Sequence, residues 1–328
     1  MSALRLGTRK SPMAIAQSMQ VARAITATSG REVELVGMST YGDASPAQLA
    51  QIGGTGVFVS GLRASLLAGE VDLAVHSLKD LPTEPADGIT LVAVPPRDDP
   101  RDALAARNGA KLADLPLAAR IGTGSPRRAA QLLILRPDLV PVPVRGNAGT
   151  RLSKVGSGDL DAVVLAYAGL VRIDRVDAVS QIFEAEEMLP APGQGALAVE
   201  VRADREDLAS LLTRVDDPVS RAATTAERSL LAALQAGCLA PVGAYAAGTD
   251  VVRLHAIVVA ADGGTALRGS IEGPADQAER LGRELAADLL RRGAGRYIAV
   301  SGGDTSHVSG GHTSHVSGGH ISNGDDNS

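Results

Sequence analysis

A short apolar strand, a Ser-Pro pair and a helix-period segment occur twice in this chain. The first copy is Leu4–Thr8, Ser11-Pro12 and Met13–Ala27, closed by Gly30; the second is Arg120–Thr123, Ser125-Pro126 and Arg127–Leu135. In each copy the Ser is placed to cap a helix and the Pro to occupy its first position, where no N–H is needed. Strands and helices alternate around both copies. Strand Val33–Ser39, the Gly-rich stretch Ile52–Gly56, helix Ser60–Ala68 and strand Val71–Val75 follow the first. Strand Val142–Val144, helix Thr150–Val155 and strand Ala162–Ala166 follow the second. Alternation of this kind predicts mainly parallel sheets. Its repetition predicts two similar α/β lobes with helix N-termini facing a shared cleft, where such folds bind ligands.

Beyond Pro192-Gly193-Gln194-Gly195 the pattern changes. A strand at Ala196–Val201 is followed by Asp217-Pro218, which opens a long helix expected to end at Gly237, leaving Cys238 as the first residue beyond it. Strand Val251–Ala260, turn Asp262-Gly263-Gly264, strand Thr265–Glu272 and helix Ala275–Arg292 predict a small α+β unit. The chain of 328 residues exceeds the size of a single typical core, which agrees with several domains. From Ser301 onward only small and polar residues and histidines predominate, and the octad Thr305–His312 recurs as Thr313–His320. A disordered tail is expected, in which four of the six histidines sit without a defined ligand spacing.

Composition narrows the partners. A net charge of −5 and 2% aromatic residues argue against nucleic acid. No apolar run is long enough for a membrane span and no secretory h-region opens the chain, so a soluble cytoplasmic protein is expected. A single cysteine can form neither an internal disulfide nor a multi-thiolate metal site. The positive charge is nearly all guanidinium, the lysines being only Lys10, Lys79, Lys111 and Lys154. Guanidinium suits bidentate capture of carboxylates, and high-GC codon usage gives the same bias, so position has to decide.

Several positions stand out. Arg127 and Arg128 occupy the first turn of a helix after Thr123 and Ser125, where the macrodipole disfavours cations unless an anion sits there too. The alternative is two side chains pointing into water. Arg145 and Arg151 flank a Gly-containing loop, Arg9 precedes the Ser11 cap, and Arg172 follows the strand and turn ending at Gly169. Several such placements suggest a ligand with many carboxylates. Asp80, beside Lys79 and past the apolar strand, reads either as an acid–base group or as an Asx-turn residue. His76 reads as structural. Cys238 reads either as a small buried hydrophobe or, being in a loop, as a site of covalent attachment.

Taken in order, Arg9 to Pro12, His76-Ser77-Leu78-Lys79-Asp80-Leu81-Pro82, Asp99-Pro100-Arg101-Asp102, Gly122 to Arg128, Arg145 to Leu152, Leu189 to Gly195 and Gly237-Cys238 before Pro241 resemble the porphobilinogen deaminase (hydroxymethylbilane synthase) family. The resemblance runs to about Tyr297. Thr55, Gly124 and Leu239 depart from the family's pattern. The resemblance implies a transferase of tetrapyrrole (porphyrin, heme) biosynthesis with a dipyrromethane cofactor held on Cys238 through a thioether, built from the enzyme's own substrate and kept as a primer. Asp80 would assist loss of ammonia from porphobilinogen, stabilise the azafulvenium cation and help remove the proton after the terminal pyrrole attacks. Four condensations on the two-ring primer would be followed by hydrolytic release of hydroxymethylbilane, and the twelve carboxylates of six rings would account for the arginines.

The resemblance further implies that Lys79, Thr123, Ser125, Arg127, Arg128, Arg145 and Arg151 hold cofactor carboxylates. Arg9, Ser11 and Arg172, with Arg145 and Arg151, would face substrate or the growing chain. It implies two periplasmic-binding-protein-like lobes, residues 1–95 with 196–213 and residues 96–195, a third domain 217–300 carrying Cys238, and the tail 301–328. Hinges are expected near Pro95–Pro100 and Pro190–Gly195. A monomer is implied, handing its product to uroporphyrinogen-III synthase. Two rival readings predict other outcomes. A two-lobed binding protein would hold an organic acid with no group on Cys238, and a metal-handling protein would depend on the tail after Gly303.

Overall fold

The computed structural model describes residues 2–38, 56–237 and 240–298. Thr55, Cys238, Leu239, most of the Gly-rich stretch and the His-rich tail lie outside them.

The first sheet starts with β1 (Leu4–Arg9), which leads into α1 (Pro12–Ser29). Ser11 caps this helix through a hydrogen bond from the Ala14 N–H, Pro12 fills its first turn, and Gly30 ends it in the left-handed region at φ 69°. β2 (Val33–Met38), α2 (Gly56–Leu67), β3 (Leu73–Ser77) and β4 (Ile89–Ala93) follow. The chain then crosses to a second sheet with β5 (Asp102–Ala106), β6 (Arg120–Gly122), α3 (Pro126–Leu135), β7 (Val140–Val142), α4 (Ala148–Gly156), β8 (Ala162–Ala166), α5 (Tyr167–Arg172) and β9 (Gln181–Ile182). It returns as β10 (Leu197–Arg202) and α6 (Glu206–Leu212).

The two sheets have one plan. Their orders are β2-β1-β3-β10-β4 and β7-β6-β8-β5-β9. In each, four strands run in one direction, and the strand next to the central one lies antiparallel to both its neighbours. Each sheet buries both faces. In the second, Leu104 and Val164 pack with Leu132 of α3, while Ala103, Ala105, Val163 and Leu165 pack with Leu152 and Val155 of α4. Strands buried on both sides read as continuous apolar runs, and β3 and β8 do so. The antiparallel pairs are what sequence alternation alone misses, because β4, β5 and β9 lack a helix partner of their own.

The third unit joins α7 (Pro218–Ala233), the antiparallel sheet β11 (Val242–Ala247), β12 (Val251–Val259) and β13 (Ala266–Pro274), and α8 (Ala278–Arg291). Its core runs from Ala226 and Leu230 through Val252 and Leu254 to Leu281, Leu285 and Leu289. The two helices touch at Gly282, where a side chain would run into the Ala226 carbonyl. α7 ends earlier than expected. Gln235 takes the left-handed conformation at φ 52°, so the helix closes at Ala233 and not at Gly237, and Cys238 is not the first residue beyond it. No helix among the described residues is long and apolar enough to cross a membrane.

Candidate active site

β3 sits between β1 and β10 at the centre of its sheet, and its C-terminal end runs into a single 3₁₀ turn, Leu78–Asp80. Leu78 and Leu81 are buried and anchor the turn, so Lys79 and Asp80 between them face outward, each partly exposed. Among the described residues the Asp80 carboxylate accepts no hydrogen bond. His76, one turn back, is buried with its Nε2 3.2 Å from Glu200 Oε2, and Arg63 forks onto the same carboxylate at 2.7 and 3.0 Å. Burial works to raise the Glu200 carboxyl, but His76 and Arg63 outweigh it and bring it to about 2. His76 therefore belongs to a closed structural cluster.

In the second lobe β6 ends at Gly122, and Thr123 and Ser125 make the turn into α3. Thr123 Oγ1 accepts the Ser125 N–H at 3.1 Å, and Ser125 Oγ caps the helix at Arg128 N. The anion that reconciles Arg127 and Arg128 with the helix start is one of the chain's own, Asp102 at the first position of β5. Arg127 donates to Asp102 Oδ2 and to the Leu189 carbonyl, both at 2.7 Å. Arg128 grips Asp102 Oδ1 at 2.7 and 3.0 Å. Burial works to raise the Asp102 carboxyl, and the two guanidiniums hold it well below the usual carboxylate range. Neither arginine points into water.

Gln194, fully buried, links the lobes. Its amide donates to Asp102 Oδ1 and the Pro100 carbonyl at 2.8 and 2.7 Å. Its oxygen accepts from Arg128 and from Lys79 Nζ, both at 3.3 Å. Lys79 is thus brought against the second lobe. Burial, then the charge of Arg128, pushes its ammonium down to about 8 against the opposing pull of Asp80 and Asp102. Arg151 leans on the Gly146 carbonyl at 2.9 Å and is lowered by burial and by Arg128, so it joins the same cationic group. Arg145 is exposed at the loop before α4, which Asn147 caps. At Gly124 a Cβ would lie 2.8 Å from the Val144 carbonyl, so the turn as folded here leaves no room for a larger residue.

Arg9 and Ser11 lie at the end of β1 and the start of α1 in the first lobe. Arg172, at the end of α5, is engaged at the crossing. It donates to Asp98 Oδ2 at 2.9 Å and to the Gly195 carbonyl at 2.7 Å, and Gln20 of α1 reaches the same Asp98 at 3.3 Å. Gly195 has φ +87°, and a side chain there would run into the Asp98 carbonyl, so the two crossing segments touch. Sequence reasoning quoted the segments containing Asp102 and Gln194 but gave neither residue a role. An acid in an Asp-Pro-Arg-Asp run facing a pair of arginines was the available signal.

The cation set fits a polycarboxylate. Lys79, Arg127 and Arg128 crowd about one paired carboxylate, Asp102, with Arg151 next to Arg128, and the buried Arg127 Nε has no hydrogen-bond partner among the described residues.

Comparison with known proteins agrees with the resemblance seen in the sequence. Residues 4–210 match the family model described as "Porphobilinogen deaminase, dipyromethane cofactor binding domain", and residues 222–291 match "Porphobilinogen deaminase, C-terminal domain". A porphobilinogen deaminase of Thermobifida fusca is 59% identical over 305 residues, covering 90% of this chain and 95% of the relative. Porphobilinogen deaminase 1 of Streptomyces coelicolor is 55% identical over 306 residues, covering 89% and 96%. Among solved structures, an ancestral cationic amino acid solute binding protein matches at TM-score 0.41 and 16% identity, covering 64% of this chain and 86% of that one.

Proposed function

The chain belongs to the porphobilinogen deaminase family, and from that premise we propose that Asp80 is its reacting carboxylate and Cys238 the attachment point of its primer. The activity is the condensation of porphobilinogen, a transferase reaction in tetrapyrrole biosynthesis, with dipyrromethane as cofactor. When bound, that cofactor supplies the pyrrole from which the chain is extended. What this protein's residues do follows from their placement. Asp80, outward on its turn and free of a hydrogen-bonded partner among the described residues, can hand a proton to the departing amine of porphobilinogen. It can then face the positive charge left on the substrate and take up the proton that the new bond releases.

On this reading Lys79, Arg128, Arg145 and Arg151 hold cofactor carboxylates, with Thr123 and Ser125 shaping the turn that presents them. Arg127 serves them from behind through Asp102. Arg9, Ser11 and Arg172 attend the incoming substrate and growing chain. Four additions followed by hydrolysis complete the cycle. The domains are 1–95 with 196–213, 96–195 and 217–300, divided at the touching crossings. A cytoplasmic monomer that passes hydroxymethylbilane to uroporphyrinogen-III synthase completes the reading, and the sedimentation of the purified protein tests the monomer.

One observation carries the proposal. Lys79 beside Asp80 is tied through Gln194 to Arg128, so the acid–base turn of one lobe abuts the cationic group of the other. The test is intact mass after incubation with porphobilinogen, compared with Cys238→Ala. A two-pyrrole adduct on the parent alone, growing by ring-sized steps, is expected. An unmodified parent that binds organic acids would favour the binding-protein reading.

A further inference from the structure

Two adjacent residues of α7 reach into other parts of the molecule. Glu227 is buried and accepts from both terminal nitrogens of Arg97 at 2.7 and 3.0 Å, from the Gly193 N–H at 2.6 Å and from the Ala246 N–H at 2.8 Å. It joins both crossing segments to the third unit. Arg228 goes to the first lobe. One terminal nitrogen donates to the carbonyls of Leu78 and Leu81 at 3.2 and 3.0 Å, and the other to the Pro82 carbonyl at 2.7 Å. These three carbonyls bracket Lys79 and Asp80.

The Leu78 carbonyl also accepts the Leu81 N–H within the turn, whereas the carbonyls of Leu81 and Pro82 lie past its end, where the turn offers them no N–H and a cation complements their partial negative charge. Packing does not fix the turn alone. A cavity of about 560 Å³ lies between the first lobe and α7, lined by Leu78, Thr83, Leu91 and Arg228 among others. Leu78 and Leu81 anchor the turn on its lobe side, and the guanidinium fork reaches it from the wall of this cavity. The connection that follows α7 holds Cys238.

We propose that Arg228 is a positioning residue for the condensation: by holding three carbonyls it sets the angle at which Asp80 is presented, and it couples that turn to the domain bearing the primer. The proposal rests on Asp80 being the reacting carboxylate.

The test follows each porphobilinogen addition by intact mass on cofactor-loaded Arg228→Met, Arg228→Lys and Asp80→Ala. Arg228→Met should slow every addition roughly tenfold to a hundredfold, the range a misplaced reacting group gives, with kcat affected more than KM. Arg228→Lys should recover part of the rate, since one ammonium cannot span three carbonyls as a planar fork does. A purely structural role would lower yield and melting temperature while each loaded molecule kept the parental rate, and that result overturns the proposal. If Arg228→Met gives no loaded protein, Arg228→Lys decides: a slowed rate at parental melting temperature supports the proposal and a parental rate overturns it. Asp80→Ala separates the two claims. Its inactivity beside a parental-rate Arg228 variant removes only the role of Arg228, whereas an active Asp80→Ala removes the premise.

Discussion

The two lobes share a sheet plan and differ at one strand position. In the second, the antiparallel strand begins with Asp102 opposite Ala166, the last residue of β8. In the first, the same place is taken by Leu197, opposite Ser77, the last residue of β3. Leu197 is buried in the apolar core, whereas Asp102 at the matching edge organises Arg127 and Arg128. The first lobe's own buried carboxylate, Glu200, sits deeper on β10 opposite Ala74 and is closed off by Arg63 and His76. A carboxylate at the end of the strand therefore gathers two arginines at the sheet's edge, and one deeper in the strand ties its own lobe together. The first lobe, with an apolar edge, presents its acid on the turn beyond β3.

If the lobes divide the chemistry in this way, the largest effect should come from Asp80. Asp80→Ala should cut turnover roughly 10²–10⁴-fold, the usual range for a general acid–base group, with the melting temperature unchanged. A variant with normal turnover would place the reacting carboxylate elsewhere. Asp102→Ala should act on stability and on loading together. It leaves two buried guanidiniums uncompensated, which costs about 3–5 kcal/mol where one partner of a buried pair is removed. Denaturant titration reads the first effect and cofactor loading the second. Because its folded-state pKa is depressed, Asp102 contributes stability that is present above about pH 4, the unfolded value, and is lost as the pH falls below it. The variant's melting temperature should therefore approach the parent's on acidification. A gap that stays constant to low pH would show that the charge of Asp102 is not what matters.

Much of this division was legible in the sequence. The repeated Ser-Pro device gave both lobes because N-capping and Pro at the first helical position are local rules, and the structure satisfies them at Ser11 and Ser125. The outward placement of Asp80 followed from its position after an apolar strand. What escaped were contacts between segments far apart in the chain. Arg127 and Arg128 were read as meeting a ligand or water, yet their partner is Asp102, on a strand well separated from them in the chain. Gln194 is invisible for the same reason, since its role depends on two crossings meeting at Gly195. The end of α7 was misplaced because glycine is the usual left-handed terminator and here Gln235 takes that conformation.

A smaller effect should distinguish Lys79 from its arginine neighbours. Its pKa of about 8 lies below the unfolded value, so folding disfavours its charged form; stability gains as pH rises from about 8 towards 10 while the ammonium needed for a carboxylate is lost. Primer loading of the apoprotein should slow severalfold between about pH 8 and 9.5. Lys79→Arg should flatten that limb, because guanidinium stays charged. An unchanged limb in Lys79→Arg would assign the titration to another group.

The smallest effect is expected at Arg145. It is exposed, no hydrogen bond to the described residues holds it, and an exposed charge contributes little, about 1 kcal/mol or less. Arg145→Ala should slow primer loading only severalfold and in a salt-dependent way, since exposed ion pairs are screened. Arg128→Ala, which disturbs the Asp102 group, should lose far more. Loading measured for both at low and high salt ranks them. Equal losses would mean that the rim of the second lobe contributes as much as its buried edge, and that the Asp102-for-Leu197 difference does not by itself separate the lobes.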